Sequence, residues 1–147
     1  MQDVSPVPGL RSEVFRDVVK KPGSLDVLVV DDEQLIRWSL SETLVEAGHT
    51  VTEAVDRESA LRVLAAHPDG PDVVLLDYRL PDSNDLGLLE AIRRLAPHAQ
   101  VILMTAYGTP EVTRGALELG AYRVVSKPFE VHDLAALVLQ AHASSPD

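Results

Sequence analysis

The sequence predicts an α/β fold in which five short strands form a parallel sheet covered by helices on both faces. Two observations predict it. Short runs rich in Val and Leu alternate with segments of 3.6-residue hydrophobic periodicity, and Gly or Pro residues separate them. Near-continuous apolar strands alternating with helices are typical of a parallel sheet buried on both sides.

The first 24 residues differ from the rest of the chain. They contain five breakers, Pro6, Pro8, Gly9, Pro22 and Gly23, and no strand-like run. The apolar residues Leu10, Val14, Phe15, Val18 and Val19 fall at helical spacing. A frayed extension and a short amphipathic helix docked on the domain or on a partner both stay open. We assign residues 1–24 to this extension, residues 25–143 to one domain and residues 144–147 to a tail.

The alternation begins at Leu25. The predicted strands are DVLVV (26–30), HTVTEAV (49–55), DVVLL (72–76), QVILM (100–104) and YRVVS (122–126). The predicted helices cover about 33–47, 57–66, 85–96, 110–119 and 130–142. In the last helix Leu134, Leu137, Val138 and Ala141 share one face.

Composition excludes several classes of protein. A length of 147 residues suits one compact domain, and a net charge of −10 with 4% aromatic residues argues against direct nucleic-acid binding. No apolar run is long enough to span a bilayer, and no signal peptide begins the chain. Cysteine is absent, so disulfides and thiolate metal sites are excluded. We expect a cytoplasmic protein.

Polar side chains follow four of the five predicted strands. The first strand runs into Asp31 and Asp32, the third into Asp77, the fourth into Thr105 and the fifth into Lys127. Taken singly, the aspartates could be helix caps, Thr105 a turn residue and Lys127 a solvated residue. Because the carboxyl ends of parallel strands share one edge, where ligands bind in such folds, we expect these side chains to converge.

Three clustered carboxylates repel each other and require counter-charge. Mg²⁺ binds to proteins through one or two carboxylates together with water and phosphate oxygens, and Lys127 adds a further positive charge. A carboxylate beside a metal ion, a lysine and a hydroxyl is suited to phosphoryl transfer. Asp77 would then be the nucleophile, with Lys127 and the metal neutralising the phosphoryl oxygens and Thr105 donating a hydrogen bond to one of them.

The motifs VLVVDDE, LLDYRLPD, VILMTAYGT and SKPF resemble the receiver domain of bacterial two-component response regulators. The resemblance covers about residues 25–142. The stretches DDEQLIRWSL, MTAYGTPE and GAY…KPF are similar to the receivers of NtrC-type, sigma-54-dependent activators. It implies a flavodoxin-like, doubly wound sheet in the strand order 2-1-3-4-5. It also implies phosphorylation of Asp77 by a sensor histidine kinase, and a signalling role without enzymatic turnover.

The resemblance further implies a role for each site residue. Asp32 would be a direct Mg²⁺ ligand together with Asp77 and the backbone carbonyl of Arg79, and Asp31 would complete the acidic pocket. Thr105 would be the switch hydroxyl, and Lys127 the lysine that precedes a cis proline. Receivers of this type dimerise on activation and control an output, here expected to be transcription.

Two positions depart from the pattern of the family. Asp85 stands where the family usually carries glycine, which would be unfavourable if the position needs a positive φ, unless Gly87 serves the loop. Val124 stands where an aromatic switch residue is frequent, so a ring that toggles with Thr105 is not available. Tyr122 lies two residues earlier and is expected on the same face of the strand.

Two other functions share features with this pattern. A haloacid-dehalogenase-type phosphatase also uses Asp, Mg²⁺, Thr or Ser and Lys, but needs a second Asp where this chain has Arg79. A non-phosphorylated interaction module on the same fold is the remaining alternative. The sequence after the last predicted helix, HASSPD, contains no output-domain motif, which leaves a truncated activator or a single-domain regulator.

Trp38 and the histidines lie outside the predicted site. On a helical wheel Ile36, Leu40, Leu44 and Ala47 share a face, and Trp38 points away from it. Trp38 is therefore either covered by the N-terminal segment, a partner contact, or partly buried at the edge of the core. The five histidines lack metal-ligand spacing and are expected to be solvated.

Overall fold

The computed structural model describes residues 23–145, which form five strands and five helices in strict alternation. The strands are β1 (Asp26–Val30), β2 (Thr50–Ala54), β3 (Val73–Asp77), β4 (Gln100–Thr105) and β5 (Arg123–Ser126). The helices are α1 (Gln34–Glu46), α2 (Arg57–Ala65), α3 (Gly87–Leu95), α4 (Pro110–Glu118) and α5 (Val131–Ala143).

The strands form one parallel sheet in the order β2-β1-β3-β4-β5. The predicted fold class and the strand order implied by the resemblance are both confirmed. Predicted boundaries differ by one or two residues at most element ends. One difference matters for the site: β3 and β4 include Asp77 and Thr105, so these side chains are held by paired strand backbone.

The core lies in two layers, one on each face of the sheet, because successive strand side chains point in opposite directions. In β3, Val74 and Leu76 join a cluster with residues of α2, α3 and α4, whereas Val73 and Leu75 pack against α1 and α5. All four are at most 2% exposed. Truncating either leucine to alanine would cost about 2–5 kcal/mol of folding free energy.

Local signals in the sequence account for the starts of two helices. At α2, the Asp56 side chain accepts a hydrogen bond from Ser59 N, and the Ser59 hydroxyl accepts one from Asp56 N, which is a capping box. The Ser59 hydroxyl and amide hold the pKa of Asp56 below its usual value. At α4, Thr109 Oγ1 accepts a hydrogen bond from Val112 N, and Pro110 occupies the first helical position.

Four expectations are corrected by the structure. His49 is buried, and its Nδ1 accepts a hydrogen bond of 3.0 Å from Leu25 N. Ala47, which the helical wheel groups with Leu40 and Leu44, is exposed, whereas those two leucines are buried. Tyr122 packs on the α1 and α5 side of the sheet and Val124 on the other, so the two do not share a face. Trp38 is 57% exposed and is not a ring buried at the core edge.

The loop that contains Asp85 needs no left-handed residue. Positive φ angles among residues 23–145 occur at four glycines, Gly23, Gly48, Gly70 and Gly120, so neither Asp85 nor Gly87 has one. Instead Asp85 Oδ1 accepts a hydrogen bond of 2.8 Å from Gly87 N at the start of α3. An aspartate suits this position because its carboxylate accepts a hydrogen bond from a backbone N–H at the helix N-terminus.

The assignments made for residues 1–22 and 146–147 lie outside the described residues. Within the part of the chain that is described, none of the helices is both long and apolar enough to cross a membrane.

Candidate functional site

Four strand ends converge at the carboxyl edge of the sheet. Asp31 follows β1, and Asp77 and Thr105 are the last residues of β3 and β4. Hydrogen bonds extend the strand ladder one step beyond the paired residues, since Tyr78 N donates to Met104 O at 2.8 Å and Lys127 N donates to Thr105 O at 2.9 Å. The predicted convergence is therefore realised by regular backbone pairing.

Lys127 lies at the centre of this cluster. Its Nζ is 3.0 Å from Asp31 Oδ2, 3.3 Å from Asp77 Oδ1 and 2.9 Å from Glu33 Oε1. The Lys127 side chain is 11% exposed, so the ammonium is held in place rather than solvated. The Lys127–Pro128 peptide bond is cis, as the resemblance implies.

The surroundings of Asp77 favour its protonated form. Burial and the nearby Asp31 carboxylate together raise the pKa of Asp77 from 3.8 to about 7, against the opposing effect of Lys127. Burial lowers the pKa of Lys127, but its hydrogen bond to Glu33 and the negative charges of Asp31 and Asp77 outweigh that effect and raise the pKa above its usual value. The Lys127 ammonium therefore stays charged. Its single positive charge is smaller than the combined negative charge that the carboxylates around it carry when they are ionised.

The three aspartates fit a hard divalent cation. One carboxylate oxygen from each of Asp31, Asp32 and Asp77 lies within 4.8 Å of the others. Asp31 is fully buried, and its Oδ2 faces the Lys127 ammonium at 3.0 Å without the geometry of a hydrogen bond. A buried carboxylate oxygen with lone pairs to spare, beside an exposed Asp32 at the pocket mouth, matches an oxygen-ligand site for Mg²⁺.

Thr105 is buried beside this pocket and organises the loop that follows β4. Thr105 is 2% exposed, and its Oγ1 accepts a hydrogen bond of 3.2 Å from Tyr107 N. Gly108 also lies close, since a Cβ at that position would be 3.0 Å from Thr105 Cγ2. The hydroxyl thus joins the strand end to the segment leading into α4.

Three residues that the sequence did not single out contribute to the site. Glu33 forms an ion pair with Lys127, and its own backbone N–H donates to Asp31 Oδ1 at 2.9 Å. Arg37 donates from Nη1 to the Asp31 carbonyl and from Nε to Glu53. Asp82 accepts hydrogen bonds from the first two amides of α2 at 2.7 and 3.1 Å. Only Glu33 had a sequence signal, its position directly after the acidic pair.

A buried aspartate at the end of the third strand, with an acidic pair, a threonine and a lysine on the same edge of a 2-1-3-4-5 sheet, defines the receiver class of signalling domains. The chain belongs to the response regulator receiver domain family, whose family model matches residues 27–139. This membership confirms the resemblance drawn from the motifs.

Curated relatives include response regulators of the NtrC and NtrX types. The transcriptional regulator NtrC of Escherichia coli is 38% identical over 115 residues, which cover 78% of this chain and 24% of the relative. An NtrX-like putative response regulator of Rickettsia conorii is 36% identical over 119 residues, covering 80% and 25%. The chain thus spans about a quarter of the length of these relatives.

Solved structures give the same family. The receiver domain of NtrX from Brucella abortus has a TM-score of 0.73 at 34% identity, covering 82% of this chain and 100% of that one. A CheY-like receiver domain protein from Methanospirillum hungatei has a TM-score of 0.76 at 27% identity, covering 82% and 94%. The chain is therefore a receiver domain of the kind found in NtrC- and NtrX-type regulators, and receivers of this family are signalling modules.

Proposed function

We propose that this chain, in the cytoplasm, accepts a phosphoryl group on Asp77 from the phosphohistidine of a sensor histidine kinase and thereby switches an output, with transcription control as the expected result. The observation that carries the proposal is the position of Asp77. It is a buried carboxylate at a strand end, with Lys127 Nζ at 3.3 Å and two further aspartates beside it.

The transfer is a displacement at phosphorus. A carboxylate oxygen of Asp77 forms the new O–P bond, and the P–N bond of the donor breaks with its electron pair passing to the imidazole nitrogen. The attacking oxygen must be unprotonated, and a pKa of about 7 leaves Asp77 only partly ionised near neutral pH. Positive charge beside Asp77 therefore increases the reactive fraction as well as stabilising the product.

Asp31, Asp32, Asp77 and the backbone carbonyl of Arg79 would hold Mg²⁺, with Asp31 acting directly or through a water molecule. When bound, the ion supplies positive charge to the phosphoryl oxygens and to the three carboxylates. Lys127 supplies the second positive charge and neutralises a phosphoryl oxygen, since its ammonium already lies against Asp77. The absence of a second Asp at the position of Arg79 argues against a phosphatase of the haloacid dehalogenase type.

The switch uses Thr105. Its Oγ1 is engaged with Tyr107 N in the described state, and donation of its proton to a phosphoryl oxygen would draw the residues before α4 toward Asp77. Val124 packs against the core layer that includes α4 and carries no aromatic ring, so we infer that the signal reaches α4 through displacement of the loop and not through a ring flip. The state so formed is expected to bind a second copy of the domain, or an attached output domain, more tightly than the free state does.

The test is phosphorylation by acetyl phosphate with Mg²⁺, followed by intact mass measurement. We expect one added phosphoryl group in the wild type and in Glu90→Gln, a control that removes an exposed carboxylate on α3, and none in Asp77→Asn. Full labelling of Asp77→Asn would refute the acceptor assignment. Light scattering with and without beryllofluoride and Mg²⁺ tests dimerisation separately, and an unchanged mass over a wide concentration range would exclude it.

A further inference from the structure

An exposed apolar stripe runs along the outer face of α1. Leu35, Trp38 and Val45 are 72%, 57% and 56% exposed, and they fall at positions i, i+3 and i+10 of the helix. They lie opposite Leu40 and Leu44, which are buried against the sheet. An apolar face of this length with a tryptophan at its centre is unusual for a surface that contacts only water.

The chain enters the domain beside one end of this stripe. Ser24 Oγ donates a hydrogen bond of 2.8 Å to Gly48 O, and Leu25 N donates to His49 Nδ1 at 3.0 Å. Gly48 follows the carboxyl end of α1, three residues after Val45. The described region therefore begins at the base of the stripe, and 22 residues of sequence precede it.

The length and apolar pattern of that segment match the stripe. Leu10, Val14, Phe15, Val18 and Val19 occur at helical spacing within residues 10–19. In helical form these ten residues span about 15 Å, and Leu35 to Val45 also spans about 15 Å at a rise of 1.5 Å per residue. Residues 20–23 can bridge up to about 13 Å when extended, which is enough to reverse direction at the start of the described region.

The charges are complementary as well. Residues 1–22 contain four Lys or Arg and three Asp or Glu, which gives them a net charge of +1. Since the whole chain has a net charge of −10, residues 23–147 carry −11. On α1, the exposed carboxylates of Glu42 and Glu46 border the stripe. Arg16 and Lys20 have the same four-residue spacing in the N-terminal segment. Opposite charges around an apolar centre favour association of these two surfaces.

We propose that residues 10–19 dock on the Leu35–Trp38–Val45 stripe of α1 in the same molecule. This contact is independent of phosphorylation, and its occupant is the chain's own N-terminal segment. It gives the segment a defined place on the domain, with its amino-terminal end close to Leu35. Leu35 is two residues from Glu33, which forms the ion pair with Lys127, so the docked segment borders the acidic pocket.

Trp38 is the only tryptophan of the chain, so its fluorescence in the full-length protein reports docking directly. Phe15→Asp is compared with Ser12→Asp, which adds the same charge one helical turn away at a position that is already polar. We expect Phe15→Asp to lower the docked-to-undocked ratio by roughly tenfold, as is usual when an aromatic anchor is lost from an interface. Trp38 emission should then shift to the red and acrylamide quenching should increase, with Ser12→Asp resembling the wild type.

A spin label supplies a second measurement. Because the chain has no cysteine, Ser12→Cys accepts a nitroxide at one site only. We expect broadening of the amide signals of residues 35–45 in the labelled molecule, and none in unlabelled ¹⁵N protein mixed with labelled ¹⁴N protein. Broadening in that mixture, or Trp38 protection that disappears on dilution, would assign the stripe to a second copy. A Trp38 that is fully quenchable in the wild type, or equally protected in Phe15→Asp, would also overturn the proposal.

Discussion

The ammonium of Lys127 lies 3.3 Å from Asp77 Oδ1, although Asp77 ends β3, Lys127 follows β5 and strand β4 lies between these two strands in the sheet. Each changes the ionisation of the other. Asp77 favours the charged form of Lys127, and Lys127 opposes the burial that keeps Asp77 protonated. The pocket is thus balanced close to a change of charge state, and four predictions follow from its contacts.

Asp77→Asn should change how stability depends on pH. The pKa of Asp77 is raised from 3.8 to about 7 in the folded state, so its share of stability is fully present below pH 3.8 and is lost as the pH rises through 7. Asparagine does not ionise, so its contribution to stability does not change with pH. The stability of Asp77→Asn relative to the wild type should therefore grow between pH 4 and pH 8 in EDTA, by at most about 4 kcal/mol at 1.36 kcal/mol per pKa unit. Urea unfolding at several pH values measures it, and a difference that does not vary with pH would contradict it.

Lys127→Ala should destabilise the metal-free protein strongly. Removing the ammonium leaves the buried Asp31 and Asp77 carboxylates without their counter-charge, and breaking a buried pair in this way costs about 3–5 kcal/mol. Mg²⁺ should restore much of that loss because it supplies replacement charge. Glu33→Gln is the control, since it removes the exposed partner of the same lysine and should cost less than about 1 kcal/mol. Equal unfolding midpoints for the two variants in EDTA would show that burial of the carboxylates carries no penalty.

Thr105→Val should uncouple the pocket from the loop that follows it. Valine keeps the shape of the buried side chain but removes the hydroxyl that Tyr107 N now contacts. Mg²⁺ affinity should stay within about twofold of the wild type, because Thr105 is not among the oxygen ligands that the ion needs. Addition of beryllofluoride should shift the amide signals of residues 105–118 in the wild type and in Thr105→Ser, but not in Thr105→Val. If beryllofluoride shifts the amide signals of Thr105→Val as it does those of the wild type, the Thr105 hydroxyl does not couple the pocket to the loop.

Asp82→Ala should loosen the loop between β3 and α3. Asp82 accepts hydrogen bonds from Arg57 N and Glu58 N, so it caps α2 from a loop 24 residues away and holds that loop in place. Loss of a capping carboxylate costs about 1 kcal/mol. Hydrogen exchange of the Arg57 and Glu58 amides should accelerate, and Mg²⁺ affinity should fall because the Arg79 carbonyl lies on the same loop. Asp69→Ala, the same change in another exposed loop, should alter neither quantity.

The fold and the position of the site could be predicted because both depend on periodic signals. Five apolar runs fixed the strands, and the polar residues at their ends could be placed on one edge by the geometry of parallel sheets alone. Asp31, Asp77, Thr105 and Lys127 meet for that reason.

The remaining details depend on contacts that periodicity does not encode. Tyr122 lies one residue before β5 begins, so the alternation of faces that holds within a strand does not apply to it. His49 is buried, and its ring accepts a hydrogen bond from the backbone N–H of Leu25. The two residues are distant in the sequence, so this contact is visible only in the folded structure. The ion pair of Glu33 joins residues 94 positions apart, and the position of Glu33 after the acidic pair does not identify Lys127 as its partner.

The order of strands in the sheet has a consequence for biosynthesis. Asp31 follows β1 and Asp77 ends β3, two inner strands that are translated before β5, whereas Lys127 follows β5, the last strand and an outer one. A nascent chain that has not yet added this edge strand holds Asp77 and the acidic pair but lacks the lysine beside them. Under the proposed function, full competence to accept a phosphoryl group would arise only when the final strand joins the sheet.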